Sequence, residues 1–212
     1  TSTYIRGDIF LIYGSGISVS SYQGKIRSDF IGYPLKVLFA SRLIREKGII
    51  EYIEAVRTVS SSRADIRFFI AGQIDIANPT GIKEGDIRQL IQDLPITFLG
   101  HVRDLPQLLQ ECHVFCLPSY REGFPRVGME AMAAGCVTIT TRAPGCVELV
   151  EDGRTGFLVR PRDAEELALV ITRLASDREL CVRISHAARQ RAMRDFDYDV
   201  INPMYIKVIE GK

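Results

Sequence analysis

The sequence contains no tryptophan, and it has no apolar run approaching the roughly eighteen residues that a transmembrane helix needs. Its 27 basic and 26 acidic side chains leave a net charge of +1, so no general attraction to nucleic acid or anionic lipid is expected. Residues 1–15 lack the basic start and apolar core of a signal peptide. A hydrophobic fraction of 46% with 25% charged residues is typical of a globular domain.

The cysteines are few, odd in number and never spaced as Cys-x-x-Cys. Disulfide frameworks and zinc sites use regular pairs, so neither is predicted. We expect buried free thiols of a reducing compartment at Cys112, Cys116, Cys136, Cys146 and Cys181.

Short apolar runs alternate with helix-forming segments from residue 35 onward. The runs are unbroken rather than alternating, which is typical of parallel strands covered on both faces. The pattern therefore predicts an α/β domain with a doubly wound, Rossmann-like parallel sheet. The predicted strands are residues 35–40, 66–71, 96–99, 114–117, 137–140 and 156–159.

The helices between these strands are predicted from apolar spacing and capping residues. Asp104 suits the N-cap of a helix, and Asp163 with Glu166 resembles a capping box. Ser176 with Glu179 predicts the start of a further helix. The predicted helices are residues 47–59, 84–92, 104–111, 125–134, 163–174 and 176–194.

The chain before residue 35 has a different pattern. Residues 8–13 form an apolar run that ends at Gly14, which predicts a short buried strand followed by a tight turn. Residues 17–34 are rich in serine and glycine without sustained periodicity, so they predict a linker. Because the chain begins with threonine rather than methionine, we expect a fragment of a longer protein.

One segment combines a strand end, a polar loop and a helix: residues 117–135. Pro125 suits the first helical turn and Gly135 the position just after the helix. The loop leaves backbone N–H groups at a helix N-terminus, which favours an anion. Glu122 in the loop and Glu130 in the helix supply carboxylates that accept hydrogen bonds from hydroxyls. A ligand with both phosphates and sugar hydroxyls would satisfy these groups.

The spacing of the two glutamates distinguishes between two kinds of site. Eight helical positions span roughly 12 Å, whereas the carboxylates of a glycosidase lie about 5–9.5 Å apart. The spacing therefore favours the two ends of one long ligand over a single scissile bond.

Two cations follow the first predicted strand. Arg42 offers a planar fork and Lys47 a point charge, a combination that suits a pyrophosphate. The alternative is that both are solvated surface cations.

A second loop follows the third predicted strand at residues 101–103. It is either part of a binding site or a routine turn with Asp104 as a cap. His101 has no evident partner, so it is not predicted to be a catalytic base.

Taken together, these segments resemble the retaining glycosyltransferases of family 4, which have the GT-B fold. The two glutamates, the Gly-Phe-Pro after the first and the Ala-Met-Ala after the second match the E-x7-E motif. The loop after the first strand is similar to the family's G-R-L-x-x-x-K-G motif, with Ser41 in place of the glycine. The resemblance extends from about Phe10 to Leu174.

The resemblance implies a role for each site residue. Glu122, Arg42 and Lys47 would be catalytic, the cations stabilising the leaving diphosphate and Glu122 contacting the transferred sugar. Glu130 would bind the ribose hydroxyls, and main-chain groups at Val102 and Arg103 would read the base. Substrate binding is implied for Arg42, Lys47, Gly72, Val102, Arg103, Glu122, Gly123, Phe124, Arg126, Val127 and Glu130.

Two further segments are similar to the family. Residues 141–148 resemble its Pro-Gly loop, which would form a wall of the pocket. Residues 14–17 resemble its G-S-G-V-D hinge, but Ser18 stands where aspartate is common and Tyr22 where phenylalanine is common.

The resemblance also implies the domain organisation, as one half of a GT-B fold. Residues 1–34 would be a hinge with a strand of the missing N-terminal domain. Residues 35–195 would form the nucleotide-sugar-binding domain, and residues 196–212 a C-terminal tail or helix.

The implied activity is retaining transfer of a hexosyl or N-acetylhexosaminyl residue from a nucleotide sugar, expected to be a UDP sugar, to a glycan or polyprenyl-linked acceptor. No metal or other cofactor is expected. The implied setting is bacterial polysaccharide biosynthesis in the cytoplasm, near the inner face of the membrane. The chain alone is expected to bind donor weakly and to transfer no sugar. Two alternatives remain: a related UDP-amino-sugar epimerase and a non-catalytic nucleotide-sugar-binding module.

Overall fold

The computed structural model describes residue 12, residues 14–22 and residues 34–210, and its centre is one six-stranded sheet. Neighbouring strands are all parallel, in the order β3-β2-β1-β4-β5-β6. The predicted fold class is confirmed, with strand ends within one residue of prediction. The strands are β1 Leu35–Ala40, β2 Ile66–Ala71, β3 Ile96–Gly100, β4 Val114–Leu117, β5 Val137–Thr141 and β6 Gly156–Val159.

Helices cover both faces of the sheet. The chain also forms short 3-10 turns at Val19–Tyr22 and Arg45–Lys47. Within the described ranges, no helix is both long and apolar enough to cross a bilayer. The helices are α1 Ile49–Ser60, α2 Glu84–Leu90, α3 Leu105–Glu111, α4 Arg126–Ala133, α5 Ala164–Ser176, α6 Arg178–Asp195 and α7 Tyr198–Glu210.

Alternate residues of each central strand enter opposite cores. In β1, Val37 and Phe39 pack in the core that includes α1 and α5. Leu38 and Ala40 pack in the other core, with α4 and the 3-10 turn at residues 19–22. Because successive side chains of a strand point to opposite faces, burial on both sides requires an unbroken apolar run. This is the physical basis of the sequence pattern.

The strand order reverses between β1 and β4. The first three strands extend the sheet in one direction, and the chain then returns to add β4 on the other side of β1. The loops that follow β1 and β4 diverge at this point, which leaves a crevice beyond the carboxyl ends of the two strands. This crevice is where a ligand is expected.

Two helix caps are as predicted and one prediction is wrong. Asp104 accepts a hydrogen bond from the N–H of Gln107 (2.9 Å), and Asp163 accepts one from the N–H of Glu166 (2.8 Å). Ser176 is not a cap, because α5 continues through it and its hydroxyl donates to the carbonyl of an earlier turn. The cap of α6 is Asp177, which accepts from the N–H of Leu180 (2.8 Å).

The prediction of a linker for residues 17–34 differs from the structure over residues 17–22. Ile17, Val19 and Tyr22 are buried in the domain. Ile17 donates its N–H to the carbonyl of Phe196 (2.9 Å) and accepts from the N–H of Tyr198 (2.9 Å). Six residues are too few to show a periodicity, so the sequence did not reveal this packing. Apart from residue 12, the strand predicted at 8–13 lies outside the described residues, as do residues 23–33.

The cap of α6 provides a direct test of this correction. We expect Asp177→Ala to lower the free energy of unfolding by about 1 kcal/mol, because an N–H at the start of α6 loses its acceptor. Ser176→Ala should cost less than about 0.5 kcal/mol, as is usual for an exposed position. Urea denaturation of both variants measures the difference, and equal losses would contradict the assignment.

Candidate functional site

The loops after β1 and β4 are joined at the reversal point of the sheet. The carbonyl oxygen of Glu46 accepts hydrogen bonds from the N–H of Tyr120 (2.8 Å) and the hydroxyl of Ser119 (3.0 Å). Gly48 follows with a φ of 76°, and a Cβ there would lie 2.1 Å from the carbonyl oxygen of Pro118. Only glycine permits this approach. The contact places the 3-10 turn that carries Lys47 against the loop that carries Glu122.

Lys47 and Glu122, predicted for the same site from separate loops, form an ion pair. The Lys47 Nζ lies 2.6 Å from the Glu122 Oε1, and the side chains are only 16% and 12% exposed. Removal of one partner from such a pair leaves the other charge poorly solvated. Each residue therefore determines where the other can lie.

The Pro-Gly loop after β5 supports the backbone of Glu122. The N–H of Glu122 donates to the carbonyl of Pro144 (3.0 Å). Gly145 has a φ of 77°, and a Cβ there would lie 2.1 Å from the carbonyl oxygen of Glu122. The backbone of Glu122 is thus held by the Pro-Gly loop.

The loop after β2 is attached to the same 3-10 turn, which the sequence did not indicate. The hydroxyl of Thr80 donates to the Glu46 carboxylate, and the carbonyl of Thr80 accepts from the N–H of Arg45 (3.0 Å). The hydrogen bond from Thr80 is the main reason why the pKa of Glu46 is lowered. No motif marks Glu46 or Thr80, since one threonine in a polar loop has no distinctive pattern.

A cleft of about 210 Å³ lies at the carboxyl ends of β1 and β2. It contains four of the predicted binding residues: Arg42, Gly72, Val102 and Val127. Arg103 is exposed and does not line it. The lining is mostly apolar and consists of Ala40, Ser41, Arg42, Ala71, Gly72, Gln73, His101, Val102, Leu105 and Val127.

Arg42 is far more exposed than Lys47. Its guanidinium lies 3.3 Å from the Asp75 carboxylate, and its side chain is 59% exposed. Surface pairs of this kind contribute about 0–1 kcal/mol, so Arg42 is available to a ligand in the cleft. Gly72 brings the two loops together here, because a Cβ would lie 1.9 Å from the carbonyl oxygen of Ser41.

The N-terminus of α4 opens beside these groups. Pro125 occupies the N-cap, one position before the first turn in which it was predicted. The N–H groups of Arg126 and Val127 have no acceptor within their own helix, as at any helix start. Gly123 is exposed, and a Cβ there would meet no described atom within 4 Å. The ring of Phe124 instead packs on Phe196, with centroids 5.5 Å apart.

Glu130 belongs to a network that sequence reasoning missed. Its Oε1 lies 3.0 Å from the Arg126 Nε, and the Arg126 Nη2 donates to the hydroxyl of Tyr198 (3.3 Å). Tyr22 is buried near this carboxylate. Burial, followed by the charge of Glu130, raises the pKa of Tyr22. The only signal in the sequence was a tyrosine where the resembled family has phenylalanine.

The residues of the described segments contain no group of three or more His, Cys, Asp or Glu side chains that could hold a metal ion. All five cysteines are buried free thiols, and burial raises the pKa of Cys181 to about 12. Thiols of this kind are chemically inert.

Comparison with known proteins identifies the family. The profile described as "Glycosyl transferases group 1" matches residues 27–191. The chain is 31% identical to the capsular polysaccharide biosynthesis glycosyltransferase CapM of Staphylococcus aureus, over 82% of this chain and 47% of that protein. It is 30% identical to the N,N'-diacetylbacillosaminyl-diphospho-undecaprenol alpha-1,3-N-acetylgalactosaminyltransferase of Campylobacter jejuni, over 82% of this chain and 44% of that protein. The chain thus spans about half the length of these relatives.

The fold also matches that of solved structures. The structure of Anabaena HepE in complex with UDP superposes with a TM-score of 0.81 at 28% identity, over 93% of this chain and 56% of that one. HepE has also been solved in complex with UDP-glucose, with a TM-score of 0.77 and 27% identity.

A matched pair of glycines tests how tightly Glu122 is held. Gly145 and Gly153 both have positive φ, but a Cβ at Gly153 would meet no described atom within 4 Å. We expect Gly153→Ala to cost about 1–2 kcal/mol of stability for its backbone conformation alone. Gly145→Ala should cost about 1–3 kcal/mol more, because the Glu122 backbone must move. Urea denaturation measures the loss of stability of each variant. Equal losses would show that the backbone of Glu122 can move away from residue 145 at no energetic cost.

Proposed function

The chain belongs to the group 1 glycosyl transferases, and from that premise we propose that this domain binds the UDP-sugar donor of a retaining transferase. The single observation that carries the proposal is the Lys47–Glu122 pair at the reversal point of the sheet. The pair places a cation for a phosphate beside a carboxylate for a sugar hydroxyl. In a nucleotide sugar the diphosphate and the sugar are bonded to each other, so the two groups of the ligand are adjacent in the same way.

The pair can accept a ligand without separating. A lysine ammonium has three N–H donors, of which Glu122 takes one. The remaining donors are available to phosphate oxygens. Glu122 uses Oε1 for Lys47, and its remaining lone pairs can accept hydrogen bonds from sugar hydroxyls. Arg42 and the free N–H groups of Arg126 and Val127 would complete the diphosphate site.

The rest of the nucleotide has a corresponding place on the protein. The mostly apolar cleft beside Val102 and Val127 suits the flat base, and Glu130 would accept hydrogen bonds from the ribose hydroxyls. UDP is the proposed nucleotide because HepE, at 28% identity, was solved with UDP and also with UDP-glucose.

In the proposed reaction, the bond between the anomeric carbon and the diphosphate oxygen breaks, the acceptor oxygen bonds to that carbon, and the proton of the acceptor hydroxyl passes to the leaving diphosphate. The leaving diphosphate carries away the electron pair, and Lys47, Arg42 and the start of α4 stabilise its charge. Such positioned charges lower the barrier more in a partly dry site than in water. This chemistry needs no metal, and we propose that the configuration of the sugar is retained, as in the family-4 enzymes that the sequence resembles.

The names of two relatives support a proposal for the class of acceptor. One is named for capsular polysaccharide biosynthesis and the other for an undecaprenol-linked acceptor. We propose a glycan or polyprenyl-linked acceptor for the whole enzyme, which would act at the cytoplasmic face of the membrane. Neither named relative is an epimerase or a binding module, so those alternatives gain no support. That the chain alone transfers no sugar stays a prediction.

Calorimetric titration with UDP, GDP and ADP tests the donor assignment. We expect UDP to bind best, and Glu130→Ala to weaken its binding at least about tenfold through lost ribose hydrogen bonds. Glu111→Ala, which removes an exposed carboxylate at the far end of α3, is the matched control. If no nucleotide binds, or if Glu130→Ala binds UDP as well as the parent does, the assignment is wrong.

Loss of a phosphate contact at Lys47 can be distinguished from a general disturbance of the site. Lys47→Met should weaken UDP about tenfold or more while leaving uridine unchanged, because uridine has no phosphate. Since Glu122 would then be left unpaired, the double variant Lys47→Met/Glu122→Gln is measured as well. Arg67→Ala, at the amino end of β2, should change neither affinity. Equal loss for UDP and uridine would count against a phosphate contact.

A further inference from the structure

We propose that a cavity between α1 and α2 is a second ligand site, which binds a small phosphorylated sugar. The volume of this cavity is about 530 Å³, which is within the range of small-molecule sites and more than twice the volume of the cleft at β1 and β2. The two cavities share no lining residue. The second site is therefore separate from the donor site, and it does not depend on the proposed function.

Hydrogen bonds fix the walls of the cavity at both ends. At one end, the N–H of Ile82 donates to the carbonyl of Leu43 (3.0 Å), which joins the segments that lead into α2 and α1. At the other end, the Arg57 Nη2 donates to the carbonyl of Leu90 (3.3 Å), which joins the last turns of the two helices. The helices thus begin together and end together, so the cavity between them is bounded by regular structure.

The Arg57 end of the cavity suits a phosphate group. The hydrogen bond to Leu90 occupies one guanidinium N–H and holds the side chain at the wall. Within the described ranges Arg57 forms no ion pair, whereas Arg88 in α2 is paired with Glu84 (2.6 Å). Gln89 lines the same end and can add an amide donor. The free donors of a guanidinium match phosphate oxygens in geometry and in charge.

The opposite end offers an acceptor and a donor for sugar hydroxyls. Asp86 lines the cavity one helical turn before Leu90, about 6 Å away along α2. Neither the Asp86 carboxylate nor the guanidinium of Arg45, which lines the same end, has a partner among the residues that the structure describes. A carboxylate accepts hydrogen bonds from hydroxyls and a guanidinium donates to them. Because the carboxylate would repel a phosphate, the anion belongs at Arg57 and the uncharged hydroxyls belong here.

The middle of the cavity is apolar. Ile50 and Ile82 line it, the first half-buried and the second buried. A sugar ring carries C–H groups that lose contact with water when they pack on such a surface. The order of anion-binding, apolar and hydroxyl-binding groups along the cavity therefore fits a hexose phosphate better than inorganic phosphate alone.

Calorimetric titration of the purified protein with glucose 6-phosphate, glucose and inorganic phosphate tests the site. We expect glucose 6-phosphate to bind at least about tenfold more tightly than either of the others, because only this ligand reaches both ends. Arg57→Ala should weaken it at least about tenfold through lost charge-assisted hydrogen bonds. Asp86→Ala should weaken glucose 6-phosphate about fivefold without weakening inorganic phosphate, because only the sugar contacts this carboxylate.

Three further variants serve as controls. Arg183→Ala removes an exposed arginine of α6, and we expect it to leave the affinity for glucose 6-phosphate unchanged. Arg42→Ala removes a cation of the donor cleft whose surface contact is also 3.3 Å long, and we expect the same result. Arg57→Lys keeps the charge but loses the planar fork, so its affinity should lie between those of the parent protein and Arg57→Ala.

The outcomes decide the proposal independently of the donor assignment. Failure of the parent protein to bind glucose 6-phosphate would overturn the second site and leave the results with UDP untouched. If Arg42→Ala weakens glucose 6-phosphate as much as Arg57→Ala does, the ligand lies in the donor cleft and the inference is wrong. It is also wrong if inorganic phosphate binds as tightly as the sugar phosphate, or if Asp86→Ala has no effect on the latter.

Discussion

The carbonyl oxygen of Glu46 accepts two hydrogen bonds from the loop after β4, and the rest of the site depends on this junction. It links the loops after β1 and β4 beside the crevice that the reversal of strand order opens. Lys47, the next residue, is thereby brought to the loop of Glu122. Gly48 completes the junction, since any side chain at that position would collide with Pro118.

The cations of the site differ in how firmly a carboxylate holds them. Lys47 is mostly buried against Glu122. Arg42 is mostly exposed, and its guanidinium lies 3.3 Å from the Asp75 carboxylate. Because burial strengthens an ion pair and solvent weakens it, the Lys47 pair is the fixed part of the site. Arg42 is the part that can turn toward a ligand. This division suits the proposed function, in which the site would bind a diphosphate and later release it.

The fold could be predicted from the sequence because the information is local. A strand buried on both faces needs an unbroken apolar run, and Asp104 and Asp163 are followed by N–H groups that their carboxylates can cap. One prediction that failed concerns two neighbouring residues at the start of α6. Ser176 and Asp177 are both good capping residues, and only the length of α5 decided between them. The burial of residues 17–22 could not be predicted, because their partners lie near the other end of the chain.

The sequence by itself determined the α/β fold, the order of strands and helices along the chain, and which loops carry the cations and carboxylates of the candidate site. Only the tertiary structure decided that Lys47 pairs with Glu122, that Thr80 holds Glu46 and that Arg126 bonds to Tyr198. Spacing along a strand or helix sets where a side chain projects from its own element. The contacts between distant side chains depend on strand order and on the close backbone approaches at Gly48 and Gly145. Neither can be predicted from a local sequence pattern.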